Sequence, residues 1–445
     1  MTTPWHQKHT AGLNQISPSA CLAKFYDLTI HLESGHNHSC VHPRTHVIPI
    51  EEIQRSPESL HNSEYKKSVR QQMLQGERPI ECTYCWRMED ADKNIMSDRI
   101  TLSGNLMTHN KGLIEEVIAQ GSSYNYAPRQ IEISFSTTCN FKCAYCTPDV
   151  SSRWMKDVEK HGPILNKAQH LAIISDKLPI KENNPYVEAF WKWLPDTYPT
   201  LTQLKVTGGE PLLSPNTFKL LDWIQQHPNH NLELGINSNL GVPDKLFRRF
   251  INKVNDFNNA KPVKSFTVWT SGESTHEQFN YIRLGGNYRT WLNNITELLK
   301  IDNVNVRIMT TYSLLNVTSY TEFLHDIFAL VKQYPGRLII DTHNYLQYPK
   351  HLRIDLLTKE FLPIVQQQVE FVKEMCKQKI AVEYNAIQAD RLLSFLEHSL
   401  QHPADDIHIS RHMFYQYINE FDRRNGLDFK STFPGLVDFY NSCKP

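Results

Sequence analysis

The chain reads Ser136-Thr-Thr-Cys139-Asn-Phe-Lys-Cys143-Ala-Tyr145-Cys146 directly after an apolar, strand-like segment, Gln130–Phe135. Three thiolates with the spacing C-x3-C-x2-C can hold one iron–sulfur cube and leave its fourth iron without a protein ligand. Zinc is the main alternative occupant, because thiolates also bind it. Zinc sites close with a fourth ligand and favour paired C-x2-C knuckles, whereas these three cysteines have no close fourth partner. The segment therefore predicts an open iron–sulfur site at the end of a strand.

Strand-like and helical segments alternate from about residue 130 onward. After Gln130–Phe135, further strands are predicted at Gln203–Val206, Leu232–Ile236, Ser265–Thr270, Val304–Thr311 and Arg337–Asp341. Helices are predicted between them at Val187–Leu194, Thr217–Gln226, Pro243–Val254 and Tyr288–Leu299. This alternation favours a parallel sheet with right-handed crossovers, here an α/β fold with a partial (β/α)6 barrel of the TIM type. Chemistry in such barrels lies at the carboxyl ends of the strands, which is where the cysteine loop begins.

The segments on either side of the barrel differ in character. Residues 1–125 contain four cysteines among short strand-like and helical patterns, which predicts a small α+β cysteine-rich module. Spaced apolar positions over Lys359–Lys377, Gln388–Leu400 and His408–Arg424 predict a helical extension that caps or docks on the barrel. We therefore expect a cysteine-rich module at 1–125, a barrel at 126–350 and a helical region at 351–445.

Composition excludes several classes of protein. The 445 residues carry 47 basic and 47 acidic side chains, so no global field favours nucleic acid or an acidic membrane surface. Apolar runs are too short for a membrane span, and the first residues lack the pattern of a signal peptide. A cytoplasmic enzyme is the expectation. Nine cysteines in such a protein are better explained as ligands than as disulfides, although the isolated Cys376 and Cys443 are expected to be plain buried or tail thiols.

A second motif, Gly208-Gly209-Glu210-Pro211, follows the next predicted strand. Two glycines let a backbone approach a ligand closely, and a carboxylate at a strand tip can accept hydrogen bonds from an ammonium group. By itself this motif is more often a plain turn. Its position after the cysteine loop makes it a candidate part of the same site. Asn237, Ser238 and Asn239, which close the third strand, are further pocket candidates.

Together the two motifs resemble those of the radical S-adenosylmethionine (SAM) superfamily, whose signature is C-x3-C-x-aromatic-C. The resemblance implies a [4Fe–4S] cluster on Cys139, Cys143 and Cys146, with the ring of Tyr145 near the adenine of SAM. It implies that Gly208, Gly209 and Glu210 receive the amino group of SAM. The activity it implies is reductive cleavage of SAM followed by hydrogen abstraction from a C–H bond.

The segment from Trp269 to Arg283 is similar to a third region of the same superfamily, in which a strand-end serine and acid precede a helix ending in Tyr-Ile-Arg. The resemblance implies that Ser271 and Arg283 contact the carboxylate of SAM and that Glu273 contacts its ribose. Arginine suits a carboxylate because its two-pronged guanidinium can donate two parallel hydrogen bonds. The plain alternative is a helix capped by Ser271 and closed by a surface arginine.

The N-terminal cysteines are candidates for a second metal site. The strand Phe25–Leu32, a glycine turn and a strand returning from Ser39 predict a hairpin that brings Cys21 near Cys40. A helix over Asn62–Leu74 then leads to Cys82 and Cys85. This segment resembles the SPASM/twitch extension of radical SAM enzymes, here placed before the barrel rather than after it. The resemblance implies an auxiliary [4Fe–4S] cluster on the four cysteines, and structural zinc or no metal remain as alternatives.

Substrate and reaction are less clearly encoded. Candidate pocket residues follow the last two strands, and among them His343 and Tyr345 are candidate proton or hydrogen relays. We expect an oxidoreductase, or an enzyme that modifies a peptide, protein side chain or small metabolite, served by a reductant protein such as flavodoxin or ferredoxin. The alternatives are a redox-neutral radical SAM epimerase or mutase with a structural N-terminal metal, and a non-catalytic zinc-bound binding protein.

Overall fold

The computed structural model describes residues 4–91, 96–165 and 183–445. The first part of the chain combines helices with three short strands. Its strands are β1 (Asp27–His31), β2 (His36–His38) and β3 (His46–Val47). Its helices are α1 (Pro4–Asn14), α2 (Ala23–Tyr26), α3 (Ile50–Arg55), α4 (Ser59–Asn62), α5 (Glu64–Leu74), α6 (Thr83–Ala91), α7 (Asp98–His109) and α8 (Leu113–Gln120).

The middle part alternates strands and helices, as the sequence predicts. The strands are β4 (Gln130–Ser134), β5 (Lys142–Cys143), β6 (Gln203–Thr207), β7 (Asn229–Asn237), β8 (Val263–Ser271), β9 (Arg283–Leu284), β10 (Val304–Met309) and β11 (Leu338–Asp341). The helices are α9 (Ser152–His161), α10 (Pro185–Thr197), α11 (Pro215–Gln226), α12 (Asp244–Ala260), α13 (His276–Ile282), α14 (Tyr288–Leu299) and α15 (Tyr320–Gln333). The last part is helical, with α16 (Leu362–Lys377), α17 (Glu383–Gln401), α18 (Ile407–Asn425), α19 (Phe429–Thr432) and α20 (Val437–Ser442).

One large sheet organises the described residues. Its strand order is β11-β10-β8-β7-β6-β4-β1-β2-β3. The run from β11 to β4 consists of the six predicted strands, all parallel to their neighbours. This confirms the α/β class with a large parallel sheet, and the arrangement is compatible with a partial barrel. None of the helices in the described ranges is long and apolar enough to cross a membrane.

The sheet continues into the N-terminal part. β1 pairs parallel with β4, from Asp27 opposite Gln130 to His31 opposite Ser134. The side-chain amide of Asn184, which caps α10, donates to the carbonyl of Leu32 at 3.0 Å. Gly35 has φ +69°, and a Cβ there would lie 2.0 Å from the ring of Tyr186 on α10. These contacts attach β1 and its turn to the helical layer. The boundary predicted near residue 125 therefore separates two segments that share one sheet.

The two faces of the sheet differ in polarity, because successive side chains in a strand point to opposite faces. One face is apolar and lies in the main hydrophobic core. It includes Ile131, Ile133, Leu204, Val206, Leu234, Ile236, Val268 and Ile308. The residues between them form the opposite, polar face, which includes Glu132, Lys205, Asn237, Ser271 and Arg307. This alternation brings polar groups from several strands to the same side of the sheet.

Two local expectations need correction. The strand expected to return from Ser39 is instead β2 at His36–His38, so Cys40 follows the strand rather than lying in it. The helix expected over Asn62–Leu74 is two helices, α4 and α5, that meet at Ser63. Ser63 is extended and its hydroxyl accepts a hydrogen bond from the backbone N–H of Lys66, so it caps α5. A residue in that role ends one helix and begins the next.

Candidate functional site

The three cysteines of the C-x3-C-x2-C segment line one cavity of about 180 Å³ at the carboxyl ends of the strands. Most of the other residues predicted for this site line the same cavity. These are Gly208, Gly209, Asn237, Ser238, Ser271 and Arg283. The structure thus brings together side chains that are up to 144 positions apart in sequence, from Cys139 to Arg283. Whether these residues hold a cluster and SAM remains a prediction.

The cysteine loop is held by backbone contacts from several directions. Cys143 lies in β5, which pairs antiparallel with β9 and places Cys143 opposite Arg283. The N–H of Ala144 donates to the carbonyl of Ile282 at 2.8 Å. Trp154 on α9 donates its indole N–H to the carbonyl of Cys143 at 2.8 Å. The hydroxyl of Tyr417, on the C-terminal helix α18, donates to the carbonyl of Ala144. The loop is therefore fixed before any ligand binds.

The two glycines of the second motif make room for this loop. A Cβ at Gly209 would lie 2.4 Å from the carbonyl oxygens of both Thr137 and Thr138. At Gly208, where φ is +125°, a Cβ would lie 2.5 Å from the carbonyl oxygen of Ser136. The N–H of Gly209 also donates to that oxygen at 3.0 Å. In the structure, the close approach that requires glycine is therefore made by the cysteine-bearing backbone.

Glu210 does not line the cavity and is only 2% exposed. Its carboxylate accepts hydrogen bonds from the N–H of Leu212 at 3.0 Å, the hydroxyl of Ser238 at 2.8 Å and the N–H of Asn239 at 2.6 Å. Burial raises its pKa to about 7, although these hydrogen bonds favour the ionised form. Glu210 therefore joins the ends of β6 and β7. The resemblance assigns it to the amino group of SAM, and that assignment remains a prediction.

Arg283 and Glu273 form a buried ion pair beside the cysteines. Arg283 Nη2 lies 2.6 Å from Glu273 Oε2, and the two side chains are 6% and 1% exposed. The hydroxyl of Tyr145 donates to Glu273 Oε1 at 3.2 Å, and the guanidinium lies 5.6 Å from the Tyr145 ring centroid. Glu273 thus holds Arg283 and Tyr145 in place. It is not among the residues that line the cavity, and the ribose contact implied by the resemblance remains untested.

Two polar atoms at the cavity have no hydrogen-bond partner among the described residues. Within the described part of the chain, Arg283 Nε and Asn237 Oδ1 are buried and make no hydrogen bond. Burial alone would lower the pKa of Arg283, but Glu273 outweighs it and the net shift is upward, so the guanidinium stays charged. The cavity therefore presents one unsatisfied cationic donor and one unsatisfied neutral acceptor. Unpaired buried polar groups are costly, which indicates that a ligand pairs with them.

The donor set suits an iron–sulfur cluster. Burial raises the pKa of Cys143 to about 12, while the nearby Arg283 opposes that rise and so favours the thiolate that metal binding requires. Across the described ranges, no group of three or more His, Cys, Asp or Glu could hold a metal ion. A cluster makes a different demand, because each thiolate binds its own iron and the sulfurs need not meet at one point. Three thiols around one cavity with a buried cation fit that demand.

The four N-terminal cysteines also come together. Cys21, Cys40, Cys82 and Cys85 line one small cavity of about 20 Å³. Burial raises the pKa of Cys40 and of Cys82 to about 12 and that of Cys85 to about 11.

 Two buried cations, Lys24 and Arg99, line the same cavity. Any tetrathiolate site is anionic, so these cations suit an iron–sulfur cluster and zinc alike.

Arg70 links the N-terminal segments that surround these cysteines. Its buried guanidinium donates to the carbonyl of Lys24 at 2.9 Å and to the side-chain oxygen of Asn62 at 2.8 Å. Its Nη2 also lies 3.1 Å from His61 Nε2. Arg70 therefore connects α5 to the Leu60–Ser63 segment and to the short helix that follows Cys21. It supports the loop that presents Cys21 to the cavity.

The two candidate relay residues lie elsewhere. His343 is buried against the rings of Tyr312 and Tyr320, and burial lowers its pKa to about 3. Tyr345 stacks on Phe395 of α17, with ring centroids 4.7 Å apart. Neither residue lines the cysteine cavity. Their placement supports an aromatic packing role more than a relay.

Some residues that line the cavity were not predicted from sequence. They are Phe141, Val150, Ser151, Pro211, Trp269 and Met309. Trp269 could have been found, since it lies two residues before Ser271 in one strand and therefore points to the same face. Met309 required the cross-strand register, which places it opposite Ser271.

Comparisons with known proteins add little to this geometry. No family model matches the chain, and no curated protein matches it. Among solved structures, the chain is similar to Streptococcus suis SuiB, in a crystal structure bound to S-adenosylmethionine. The identity is 13%, the match covers 80% of this chain and 68% of the other, and the TM-score is 0.35. At that TM-score the likeness carries no argument about fold or function.

Proposed function

We propose that this chain is a radical SAM enzyme. In this proposal Cys139, Cys143 and Cys146 hold a [4Fe–4S] cluster, and the cavity beside them binds SAM. The observation that carries the proposal is the single cavity that these cysteines share with Gly208 and Arg283. The substrate would be a peptide, a protein side chain or a small metabolite with an unactivated C–H bond.

The unpaired atoms of the cavity match the amino-acid part of SAM. Arg283 Nε is a buried cationic donor and suits a carboxylate, whereas Asn237 Oδ1 is a buried acceptor and suits an ammonium group. Asn237 thus supplies an acceptor in addition to the predicted one, Glu210, whose carboxylate already accepts three hydrogen bonds from the protein. Ser271 would donate a further hydrogen bond to the carboxylate.

In this reaction the protein itself would position the bound ligand and shield it from water. When bound, the cluster supplies one electron and SAM supplies the radical that removes a substrate hydrogen. Arg283 keeps its charge because Glu273 is ionically paired with it, so the cavity retains one cation for an anionic ligand. The buried loop around Cys143, packed under Trp154 and Tyr417, excludes water from one side of the site. A reductant protein such as flavodoxin or ferredoxin would deliver the electron.

The N-terminal cysteines would hold a second [4Fe–4S] cluster. Their shared cavity and the adjoining Lys24 and Arg99 support a bound anionic metal centre. Structural zinc uses the same thiolates, and only metal analysis separates the two. An auxiliary cluster would complete a two-electron oxidation by accepting an electron from a substrate radical, which is why we favour an oxidoreductase or a peptide-modifying or metabolite-modifying enzyme.

Metal and product analysis of one protein preparation tests the proposal. Anaerobically reconstituted protein should contain iron and sulfide, and with dithionite it should convert SAM to 5′-deoxyadenosine and methionine. Cys139→Ala should abolish that cleavage while retaining about half of the iron. Cys376→Ala is the matched control, since Cys376 lies in the distant helix α16. Zinc without sulfide, or unchanged 5′-deoxyadenosine formation in Cys139→Ala, would reject the assignment.

A further inference from the structure

Four charged side chains and one tryptophan form a row across the polar face of the sheet next to the cysteine cavity. It consists of Glu132 on β4, Lys205 on β6, Trp269 on β8, Arg307 on β10 and Asp341 on β11, and we call it the charged row. Strand register aligns it, because Glu132 pairs with Lys205 and Trp269 pairs with Arg307. Trp269 also lines the cysteine cavity, so the charged row borders that cavity directly.

The indole of Trp269 contacts both cations of the row. Lys205 Nζ is 4.6 Å from the ring centroid, and the Arg307 guanidinium carbon is 4.9 Å from it. Gly235 on the intervening strand β7 leaves the space for this contact, since a Cβ there would lie 3.2 Å from the indole nitrogen. Cation–π attraction therefore holds both cations at one aromatic ring.

The two cations are incompletely satisfied by the protein. The Lys205 side chain is only 24% exposed, yet over the described ranges its ammonium makes no hydrogen bond and reaches Glu132 only at 3.9 Å. Arg307 donates one hydrogen bond, from Nη2 to Asp341 Oδ1 at 3.2 Å. Its Nε lies 3.2 Å from Asp341 Oδ2, an ion-pair contact that is not a hydrogen bond within the described ranges. Charge-assisted hydrogen bonds are normally shorter, near 2.7–2.9 Å, so these cations retain capacity for another anion.

We propose that the charged row is a substrate-binding surface on which Lys205 and Arg307 together bind an anionic group of the substrate, a carboxylate or a phosphate. The term substrate rests on the proposed function, whereas anion binding by the row does not. An anion held at these cations would lie beside Trp269, and the rest of the molecule would extend toward the cysteine cavity. The row therefore selects a negatively charged substrate over a neutral one.

Ligand-observed NMR titration of the metal-free full-length chain tests this proposal with three small probes. N-acetylglycine carries one carboxylate, N-acetylglycinamide is its neutral counterpart, and inorganic phosphate represents the other anion. We expect N-acetylglycine to bind at least tenfold more tightly than N-acetylglycinamide. Lys205→Met and Arg307→Met should each weaken that binding at least tenfold, and Lys205→Arg should retain it.

Matched controls separate the row from general charge effects. Lys264→Met and Arg248→Met remove the same side-chain types from exposed ion pairs with Glu233 and Glu297, and both should leave probe affinity unchanged. Thermal melting of every variant identifies any that fail to fold. If phosphate alone binds with the same dependence on Lys205 and Arg307, the row recognises a phosphate ester. Absence of binding by both anions, or equal affinity in folded Lys205→Met and Arg307→Met, would overturn the proposal.

The titration needs neither cluster nor SAM, so its outcome is independent of the proposed enzyme activity. A chain that binds N-acetylglycine through the row but never cleaves SAM would reject the proposed function and keep the anion site. A chain that cleaves SAM but binds neither anion would keep the proposed function and reject the row.

Discussion

Arg283 and Glu273 lie 2.6 Å apart, from Nη2 to Oε2, with both side chains almost wholly buried. The hydroxyl of Tyr145 donates to the same carboxylate, so one acid fixes both the cation of the cavity and the aromatic residue of the cysteine motif. Since a buried charge without a partner is strongly disfavoured, the pair should be needed for stability as well as for ligand binding.

Glu273→Gln should remove the charge that holds Arg283. We expect a loss of about 3 kcal/mol in the free energy of urea unfolding, because the guanidinium is left buried without a counter-charge. The dissociation constant of SAM should rise at least tenfold, and Glu273→Asp should recover most of the affinity. Glu297→Gln, which removes the partner of the exposed Arg248, should change neither quantity. Unaltered SAM affinity in folded Glu273→Gln would contradict a positioning role.

Gly209→Ala should displace the cysteine loop. Its new Cβ would lie 2.4 Å from two backbone carbonyl oxygens, so the loop or the β6 end must shift. We expect iron incorporation at the three-cysteine site to fall by at least half, measured as iron and sulfide per chain after reconstitution. Gly112→Ala is the control, because a Cβ there meets nothing within 4 Å and costs only about 1 kcal/mol of backbone strain. Equal iron content in the two variants would be inconsistent with this explanation.

Arg70→Lys should weaken the N-terminal metal site. Lysine keeps the charge but lacks the planar group that donates to Lys24 and Asn62 at the same time. We predict reduced metal at the four N-terminal cysteines, quantified in a background in which Cys139, Cys143 and Cys146 are all alanine. The exposed Arg87, replaced by lysine, should have no effect. Full metal occupancy in Arg70→Lys would mean that the Cys21 loop is held by other contacts.

Asp27 should make stability depend on pH. Burial raises its folded-state pKa from 3.8 to about 7, while Lys66 opposes that rise. The folded chain therefore binds more protons than the unfolded chain between about pH 4 and 7, and the contribution of Asp27 to stability falls as pH increases through that window. The slope is at most about 1.4 kcal/mol per pH unit. Asp27→Asn should gain stability relative to the original chain across this range, and parallel urea midpoints from pH 4 to 7 would refute it.

Sequence patterns were sufficient for the elements whose information is local. Alternating apolar residues located all six parallel strands, since burial of one face requires that alternation. The cysteine spacing and the Gly208-Gly209 pair located the cavity, because the residues of each motif are close together in the sequence. The same reasoning correctly expected Asn237 and Ser271 at strand ends.

What the sequence did not reveal depends on distant contacts. The pairing of β1 with β4 joins Asp27 to Gln130, about a hundred positions apart. No local pattern indicates that this edge of β4 pairs with another strand rather than facing solvent. The ion pair between Glu273 and Arg283 depends on how α13 packs, so a surface role for the arginine was equally consistent with the sequence. The contact of Trp269 with Lys205 requires a glycine on the strand between them, which becomes visible only with the register.

The hydroxyl of Tyr417 donates to the carbonyl of Ala144, within the cysteine loop, although the two residues are 273 positions apart. During translation the loop leaves the ribosome long before α18 is made. The loop therefore lacks one of its anchors throughout most of synthesis, and its final shape is reached only when the C-terminal helices fold against it. Assembly of the proposed metal centre on Cys139, Cys143 and Cys146 is thus expected to follow, rather than accompany, production of the polypeptide.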